Sequence, residues 1–334
     1  MTSPKSQPWF RKASPSFYVV ILLLALAVSV AFKLRARGVF ACPASYGAAY
    51  LSDCNAANFG DYDHGAWWFG LEPEAKRAAA GAKVLLVGNS RLQFALSGAN
   101  TAEWFRQAGI SYYLLGFSHS ETVMFMTPLL ARIEPRAQAV VINVDRFFDD
   151  RVSPPAGQIM QEKDIFSRYR EKQVWQTLHK PVCGALPLLC GKQLGVYRER
   201  GTGAWHTSGT LPDLASTVSD AKPSNVDHWP TYISLAKKFV DELGVDPKCV
   251  VLTLVPTVAT KRSEAQAIAE ALGMPLIAPR IDDLKTFDGS HLEPTSARRW
   301  STAFLESAGP LIRECAADRA AAATGRGDPP RDGA

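Results

Sequence analysis

The chain has 334 residues, 47% of them apolar and 21% charged, so it is long enough to bury a full globular core. Its formal charge of +5 suggests a nucleic-acid partner at first sight, but six Lys and Arg residues lie before residue 38, where no acid occurs. The rest of the chain carries 31 basic residues against 32 acidic ones. This balance argues against nucleic acid as a partner.

Residues 17–32 form an uncharged apolar run with three basic residues on each side. As a helix the run would be roughly 24 Å long, a little short of the ~30 Å hydrocarbon core, and the flanking basic side chains can reach the interface. We expect an uncleaved transmembrane signal anchor at 17–32, preceded by a cytoplasmic N-terminus at 1–16. A cleaved signal peptide is the alternative, since Ala25-Leu26-Ala27 resembles a cleavage site. The flanking charges leave the orientation open.

The six cysteines bear on the orientation. Cys42 and Cys54 are close enough in sequence to pair locally, and so are Cys183 and Cys190. Such pairing favours an oxidising compartment, with the domain outside the cytoplasm. Cys249 begins an apolar run, and we expect it to be a small buried residue. No His and Cys spacing predicts a metal site, and no motif predicts a cofactor.

Apolar strand-like runs alternate with helix-like segments over residues 84–308. The predicted strands are 84–87, 112–115, 139–144, 250–255 and 275–278, and the predicted helices are 98–108, 121–133, 232–243, 263–272 and 294–308. Continuous apolar strands between amphipathic helices predict a parallel sheet covered on both faces. We therefore expect an α/β fold, flavodoxin-like with three α/β/α layers and a mostly parallel five-stranded sheet in the order 2-1-3-4-5.

Three segments fall outside this alternation. The predicted organisation is a membrane-proximal addition at 33–80, a main domain at 81–315 with an insertion at about 149–229, and a disordered tail at 316–334. The large aromatic residues of the insertion include Trp175, Tyr197, Trp205 and Trp229. They are expected either to offer stacking surfaces for a carbohydrate or to pack the insertion onto the domain.

Two short polar motifs lie at the ends of this pattern. Gly88-Asn89-Ser90-Arg91 directly follows the first strand, and Asp288-Gly289-Ser290-His291-Leu292 precedes the last helix. Each motif alone is also typical of a turn or a helix cap. Parallel strands bring their carboxyl ends to one edge, so the two motifs can meet there. We expect Ser90 to be a nucleophile, His291 its base, and Asp288 the group that orients the imidazole.

The two motifs resemble those of the SGNH (GDSL-like) hydrolase superfamily, over about residues 83–148 and 248–308. The resemblance implies an oxyanion site formed by the N–H groups of Ser90 and Gly116 and by an Asn side chain from a third block. That block should contain Gly-x-Asn-Asp, but this chain has Asn143-Val144-Asp145-Arg146. Asp145 therefore stands where the amide donor is expected, and an ionised carboxylate would repel an oxyanion. Asn143 or Arg146 is the alternative donor.

The anchor, the Gly-x-Ser-Arg block and the Asp-x-x-His-Leu block are similar to those of membrane-anchored SGNH-like proteins of bacterial cell-surface polysaccharide pathways. The resemblance implies a serine esterase or O-acyltransferase at the inner membrane. Its domain would face the periplasm or exterior, and it would act on acyl esters, acetyl above all, of an exported glycan. A membrane-bound acyltransferase is the implied partner. The alternatives are a catalytically silent scaffold or glycan-binding subunit and a lipid-directed esterase.

Three further side chains are candidates for substrate binding. Arg91 follows the serine and would bind a carboxylate or a glycan, or else only solvate the turn. His119 follows Gly116 by three residues and would line the pocket, or else serve as a cap or a surface residue. Asp145 is included because it lies at the end of the third strand.

Overall fold

The computed structural model describes residues 14–44, 47–54, 59–162, 164–212, 214–220 and 226–324. The helices are α1 (Pro15–Ala36), α2 (Asp63–Trp68), α3 (Pro73–Gly81), α4 (Ser90–Leu96), α5 (Ala99–Ala108), α6 (Val123–Ile133), α7 (Pro154–Gln161), α8 (Ile165–Ala185), α9 (Trp229–Glu242), α10 (Arg262–Leu272) and α11 (Pro294–Thr324). The strands are β1 (Ala49–Cys54), β2 (Gly60–Asp61), β3 (Val84–Asn89), β4 (Tyr112–Phe117), β5 (Ala139–Asn143), β6 (Gly195–Glu199), β7 (Trp205–Ser208), β8 (Ser216–Thr217), β9 (Val250–Thr253) and β10 (Lys285–Thr286).

Helix α1 contains the predicted apolar segment. Its stretch Pro15–Leu34 is long and apolar enough to cross a membrane, and its most apolar window is not buried within the described chain. An N-terminal signal sequence has the same properties, so length and composition do not choose between the two. At its end Leu34 packs against the core of the domain, and a short 3-10 turn follows at Gly38–Ala41.

A parallel sheet forms the centre of the domain. Strand β3 pairs with β4 and β5, and β5 pairs with β9, which gives the order β4-β3-β5-β9. Leu85 and Val87 join the core that includes α6 and α9, whereas Val84 and Leu86 join the core that includes α5 and α11. Successive side chains of a strand point to opposite faces, so burial of both faces requires a continuous apolar run. The predicted α/β class is confirmed.

The described part of the chain has four strands in this sheet, and the predicted fifth strand is not confirmed. Only Leu276 forms a bridge, with Leu252 of β9. Pro275 and Pro279 bound this segment, and proline has no amide hydrogen to donate to a ladder. The first four predicted strands do lie in the predicted relative order.

The two additions come together in a second, antiparallel sheet of order β2-β1-β6-β7. Strands β1 and β2 belong to the membrane-proximal addition, and β6 and β7 belong to the insertion. The fully buried Arg198 of β6 forms an ion pair with Asp63 and donates to the backbone carbonyls of Leu114 and Gly116. These contacts attach the second sheet to the carboxyl end of β4.

Two features of the C-terminal region go beyond the expectations, although Cys249 is buried as expected. Cys249 is disulfide-bonded to Cys315 of α11, in addition to the Cys42–Cys54 and Cys183–Cys190 bonds. Its position at the start of β9 places the two Cα atoms 5.7 Å apart, within the range that a disulfide needs. Helix α11 continues to Thr324 and so occupies 316–324 of the predicted disordered tail, whereas 325–334 lie outside the described residues.

Candidate active site

Ser90 is the first residue of α4 and directly follows β3 at the carboxyl edge of the parallel sheet. Asn89 stabilises this turn, because its side-chain oxygen accepts a hydrogen bond from the amide of Arg91, at 3.1 Å. The Ser90 hydroxyl lies 2.8 Å from Nε2 of His291. Nδ1 of His291 lies 2.6 Å from Oδ2 of Asp288. The predicted nucleophile, base and orienting carboxylate therefore form one continuous chain of hydrogen bonds.

The loop before α11 holds Asp288 in place. One carboxylate oxygen of Asp288 accepts hydrogen bonds from the amides of Ser290 and His291, at 2.9 and 2.8 Å. Partial burial by itself would raise the pKa of Asp288, but the hydrogen bonds and charge of His291 outweigh it and lower the pKa to about 2. Asp288 is therefore ionised at neutral pH and can keep the Nδ1 proton on His291.

The three residues open into a cleft of about 240 Å³. Part of its lining is apolar and contains Phe94, Trp205 and Phe287. The His291 ring packs against two of these rings, with centroids 4.7 Å from Phe94 and 5.5 Å from Phe287. Trp205 belongs to the insertion, so one of the four aromatic residues named above for the insertion lines the cleft. Tyr197, by contrast, is buried and donates to the backbone carbonyl of Pro43.

Arg91 and Asp145 bind each other. The Arg91 guanidinium forms an ion pair with Asp145, and its Nε donates to the Ser290 hydroxyl at 2.9 Å. The side chains are 16% and 5% exposed, so Arg91 compensates the charge of the carboxylate in a largely dry environment. The carboxylate that stands where the amide donor is expected therefore has a cationic partner. Arg91 also connects the motif that contains the serine to the motif that contains the histidine.

The other residues of the implied oxyanion site lie beneath the Ser90 turn. A Cβ atom on Gly116 would lie 2.7 Å from the Asn89 carbonyl oxygen, so this position requires glycine. Asn143 is fully buried; its side-chain oxygen accepts from the amide of Val255 at 3.0 Å, and its Nδ2 lies 3.5 Å from Oδ1 of Asn89. Both residues support the turn, and their oxyanion roles stay predictions.

The rest of the cleft lining includes Asp53, Ser118 and His119. His119 is therefore placed at the cleft, as expected, and burial lowers its pKa. Burial and the nearby Asp61 raise the pKa of Asp53 to about 7. Possible ligand atoms of Asp53, Asp61 and His119 lie within 4.8 Å of one another, which is suitable spacing for a metal ion. Asp61, however, already accepts hydrogen bonds from Ser118 and His64.

A second imidazole lies close behind this part of the cleft. His64 is completely buried, with Nδ1 2.8 Å from Asp61 and Nε2 2.8 Å from Glu121. Burial would lower its pKa, but the two carboxylates raise it to about 10. His64 is therefore an imidazolium at neutral pH. Sequence reasoning missed this group. Asp61 lies three residues before His64, the same spacing as Asp288 and His291, but Glu121 is 57 residues away, and no local pattern shows that the ring is buried between the two acids.

No family model, no curated protein and no solved structure matches this chain. The chemistry of the cleft must therefore be argued from its own residues.

Proposed function

We propose that this protein is a membrane-anchored, SGNH-like serine esterase or O-acyltransferase. One observation carries the proposal: the uninterrupted hydrogen-bond chain from Ser90 through His291 to Asp288, with distances of 2.8 and 2.6 Å. A nucleophile needs a base within hydrogen-bond reach, and the base needs a third group that fixes its tautomer. Both requirements are met at the edge of one cleft.

The first half of the reaction forms an acyl-enzyme. His291 Nε2 accepts the Ser90 proton while Oγ attacks the acyl carbonyl, and Asp288 stabilises the resulting imidazolium. The tetrahedral intermediate collapses as His291 returns that proton to the departing alkoxide. In the second half, His291 removes a proton from water or from an acceptor hydroxyl, which attacks the acyl carbon and releases Ser90. Water gives hydrolysis, whereas a sugar hydroxyl gives transfer.

The developing oxyanion requires donors that are already in place. In this proposal they are the backbone N–H groups of Ser90 and Gly116, whereas the fully buried Asn143, with its Nδ2 directed at Asn89, supports the turn that presents Ser90. The pairing of Asp145 with Arg91 supports an active site rather than a silent scaffold, because the carboxylate that prompted the alternative already has a cationic partner.

The lining of the cleft supports a small acyl group and a hydroxyl-rich acceptor. A volume of about 240 Å³ bounded by Phe94, Trp205 and Phe287 is suited to an acetyl group. Asp53, Ser118 and His119 offer hydrogen-bond partners of the kind that a glycan uses. We infer that the acceptor is an exported bacterial glycan and that a membrane-bound acyltransferase supplies acyl groups.

The proposed location is the periplasmic side of the inner membrane, with α1 as an uncleaved anchor. All six cysteines are paired in three disulfides, which supports an oxidising compartment. A reporter fused to the C-terminus of the full chain should then be active outside the cytoplasm. Activity confined to the cytoplasm would contradict this location.

The test of the catalytic proposal is labelling with a fluorophosphonate. The full chain in detergent should be labelled stoichiometrically at Ser90, as located by peptide mass spectrometry. Ser90→Ala should abolish labelling, whereas Ser118→Ala, a serine in the same cleft, should retain it. A folded protein that is not labelled at Ser90 would contradict the enzyme and favour the catalytically silent alternative.

A further inference from the structure

The largest cavity at the membrane-proximal end of the molecule lies at the base of α1. Its volume is about 630 Å³, and its lining includes Lys33, Arg37, Arg168, Lys172, Phe59 and Trp175. We call it the juxtamembrane cavity. Lys33 lies on the last turns of α1, where the apolar segment Pro15–Leu34 ends. If α1 crosses the membrane, the cavity therefore begins at the level of the lipid headgroups.

We propose that the juxtamembrane cavity binds the phosphate headgroup of an anionic phospholipid. The inference goes beyond the proposed catalytic function and shares with it only the premise that α1 crosses the membrane. It does not depend on Ser90 or on the acyl chemistry.

The charges of the cavity support this occupant. Four cationic side chains line it, against the single carboxylate of Glu171. Glu171 pairs with Arg37 at 2.7 Å, and the Arg37 guanidinium also lies 4.8 Å above the Trp175 ring. Lys33 has no ion pair in the described part of the chain, and the contact of Arg168 with Glu162 is long, at 4.0 Å. Lys172 donates to the backbone carbonyl of Asp61 at 2.6 Å. Lys33 and Arg168 are thus left for a phosphate group, and a basic pocket at a membrane surface attracts anionic lipid.

Exposed apolar side chains lie beside the cavity and indicate that this side of the domain rests on the lipid. Leu188 is 94% exposed and Leu186 is 56% exposed, both within the loop closed by the Cys183–Cys190 disulfide. The amide of Gly191 donates to the Phe40 carbonyl at 2.8 Å, which ties this loop to the end of α1. Leucine side chains at the end of a membrane-spanning helix remove their apolar surface from water when they enter the interface.

Helix α8 connects the juxtamembrane cavity to the exposed leucines. One face of α8 lines the cavity with residues at helical spacing, namely Arg168, Glu171 and Trp175. Leu178 continues this row toward the loop that the Cys183–Cys190 disulfide closes, which we call the leucine loop. Leu178 is 43% exposed. Tryptophan is favoured at the headgroup level, where its ring is partly apolar and its N–H is polar. A phospholipid can therefore place its phosphate among the cations and its acyl chains along α1 and the leucine loop.

The test uses the full chain in a nonionic detergent micelle, with native mass spectrometry to count bound lipid. Wild type should retain one phosphatidylglycerol, with at least about tenfold preference over phosphatidylcholine of the same chain length. Arg168→Glu should lower this retention about tenfold. Arg170→Glu is the matched control, since Arg170 lies on the same helix, is exposed and contacts Gln173 rather than the cavity. Lys33→Gln provides a second, milder variant if Arg168→Glu does not fold.

Three outcomes would overturn the proposal. One is equal retention of phosphatidylglycerol by wild type and by both cavity variants. Another is equal retention of the anionic and zwitterionic lipids. The third is displacement of the lipid by millimolar inorganic phosphate, which would indicate a site for free phosphate instead. Fluorophosphonate labelling of Ser90 in the same samples reports separately on the catalytic proposal, and its loss would leave the lipid result unaffected.

Discussion

Two largely buried histidines of the described chain are each hydrogen-bonded to a carboxylate, yet they are suited to different tasks. His291 has one carboxylate, Asp288, on one nitrogen and the Ser90 hydroxyl on the other. His64 has a carboxylate on each nitrogen, Asp61 and Glu121, and no exposed surface. The first arrangement leaves Nε2 free to accept a proton. The second holds both protons on the ring.

The difference shows that proximity to an acid does not by itself make a histidine a general base. Burial disfavours the charged imidazole, but two carboxylates at 2.8 Å reverse this preference and raise the pKa of His64 to about 10. His64 is therefore suited to stabilising the fold, and His291 to the base role of the proposed reaction. The following predictions test that division.

The largest effect is expected at His291. His291→Ala should lower kcat for a small acetyl ester by about 10⁴–10⁶-fold, because Ser90 loses its base. The midpoint of thermal unfolding should change little, since the ring is partly exposed. A variant that keeps more than about a tenth of wild-type turnover would show that another group activates the nucleophile.

Asp288→Asn should cost about 10⁴-fold in kcat. The amide preserves the shape of the loop but favours the wrong tautomer of His291. Turnover at saturating substrate, compared with wild type, is the measurement. Asp282→Asn serves as a matched control, because the side chain of Asp282 takes no part in the described hydrogen-bond chain of the site. A loss confined to KM would indicate that Asp288 only shapes the cleft.

His64→Gln should lower the free energy of unfolding by about 3–5 kcal/mol, because it leaves Asp61 and Glu121 buried without a cation. Chemical denaturation of the full chain in detergent measures this loss. Ser90 in the fraction that remains folded should still react with a fluorophosphonate. If labelling disappears while the fold persists, His64 belongs to the catalytic machinery and the division is incorrect.

The ion pair between Arg91 and Asp145 should contribute less. Asp145→Asn removes the charge that holds Arg91 against Ser290, and we expect kcat to fall about tenfold, or ~1.4 kcal/mol. A double-mutant cycle with Arg91→Met should show coupling between the two positions. A rise in turnover for Asp145→Asn would instead indicate that the carboxylate opposes the oxyanion.

The last effect is gradual and concerns pH. The pKa of His64 is raised on folding from 6.5 to about 10, so its stabilising contribution is complete below pH 6.5 and is lost as the pH rises toward 10. In that interval the free energy of unfolding of the wild type should fall by at most about 1.4 kcal/mol per pH unit because of His64. The same pH series for His64→Gln should lack this component. Parallel curves for the two proteins would contradict the assigned charge of His64.

Sequence reasoning succeeded where short stretches carry the information. The two motifs around Ser90 and His291 are local, and each sits next to a strand or helix that its own periodicity predicts. The parallel order of β3, β4 and β5 follows from the short helical crossovers between them, whereas the connection from β5 to β9 contains the whole insertion. Pro275 and Pro279 explain why the apolar run 275–278 forms only a single bridge, since proline has no amide hydrogen to donate to a neighbouring strand.

By itself, the sequence determined the apolar N-terminal helix, the α/β alternation and the two motifs that meet at the sheet edge. It could do so because hydrophobic periodicity and turn chemistry are properties of neighbouring residues. Only the tertiary structure decided the pairing of β1 with β6, the Cys249–Cys315 bond, the contact of Arg91 with Asp145 and the enclosure of His64 by two acids. The physical reason is that a buried charge is tolerated only beside a partner, and packing of the whole chain determines which distant residue becomes that partner.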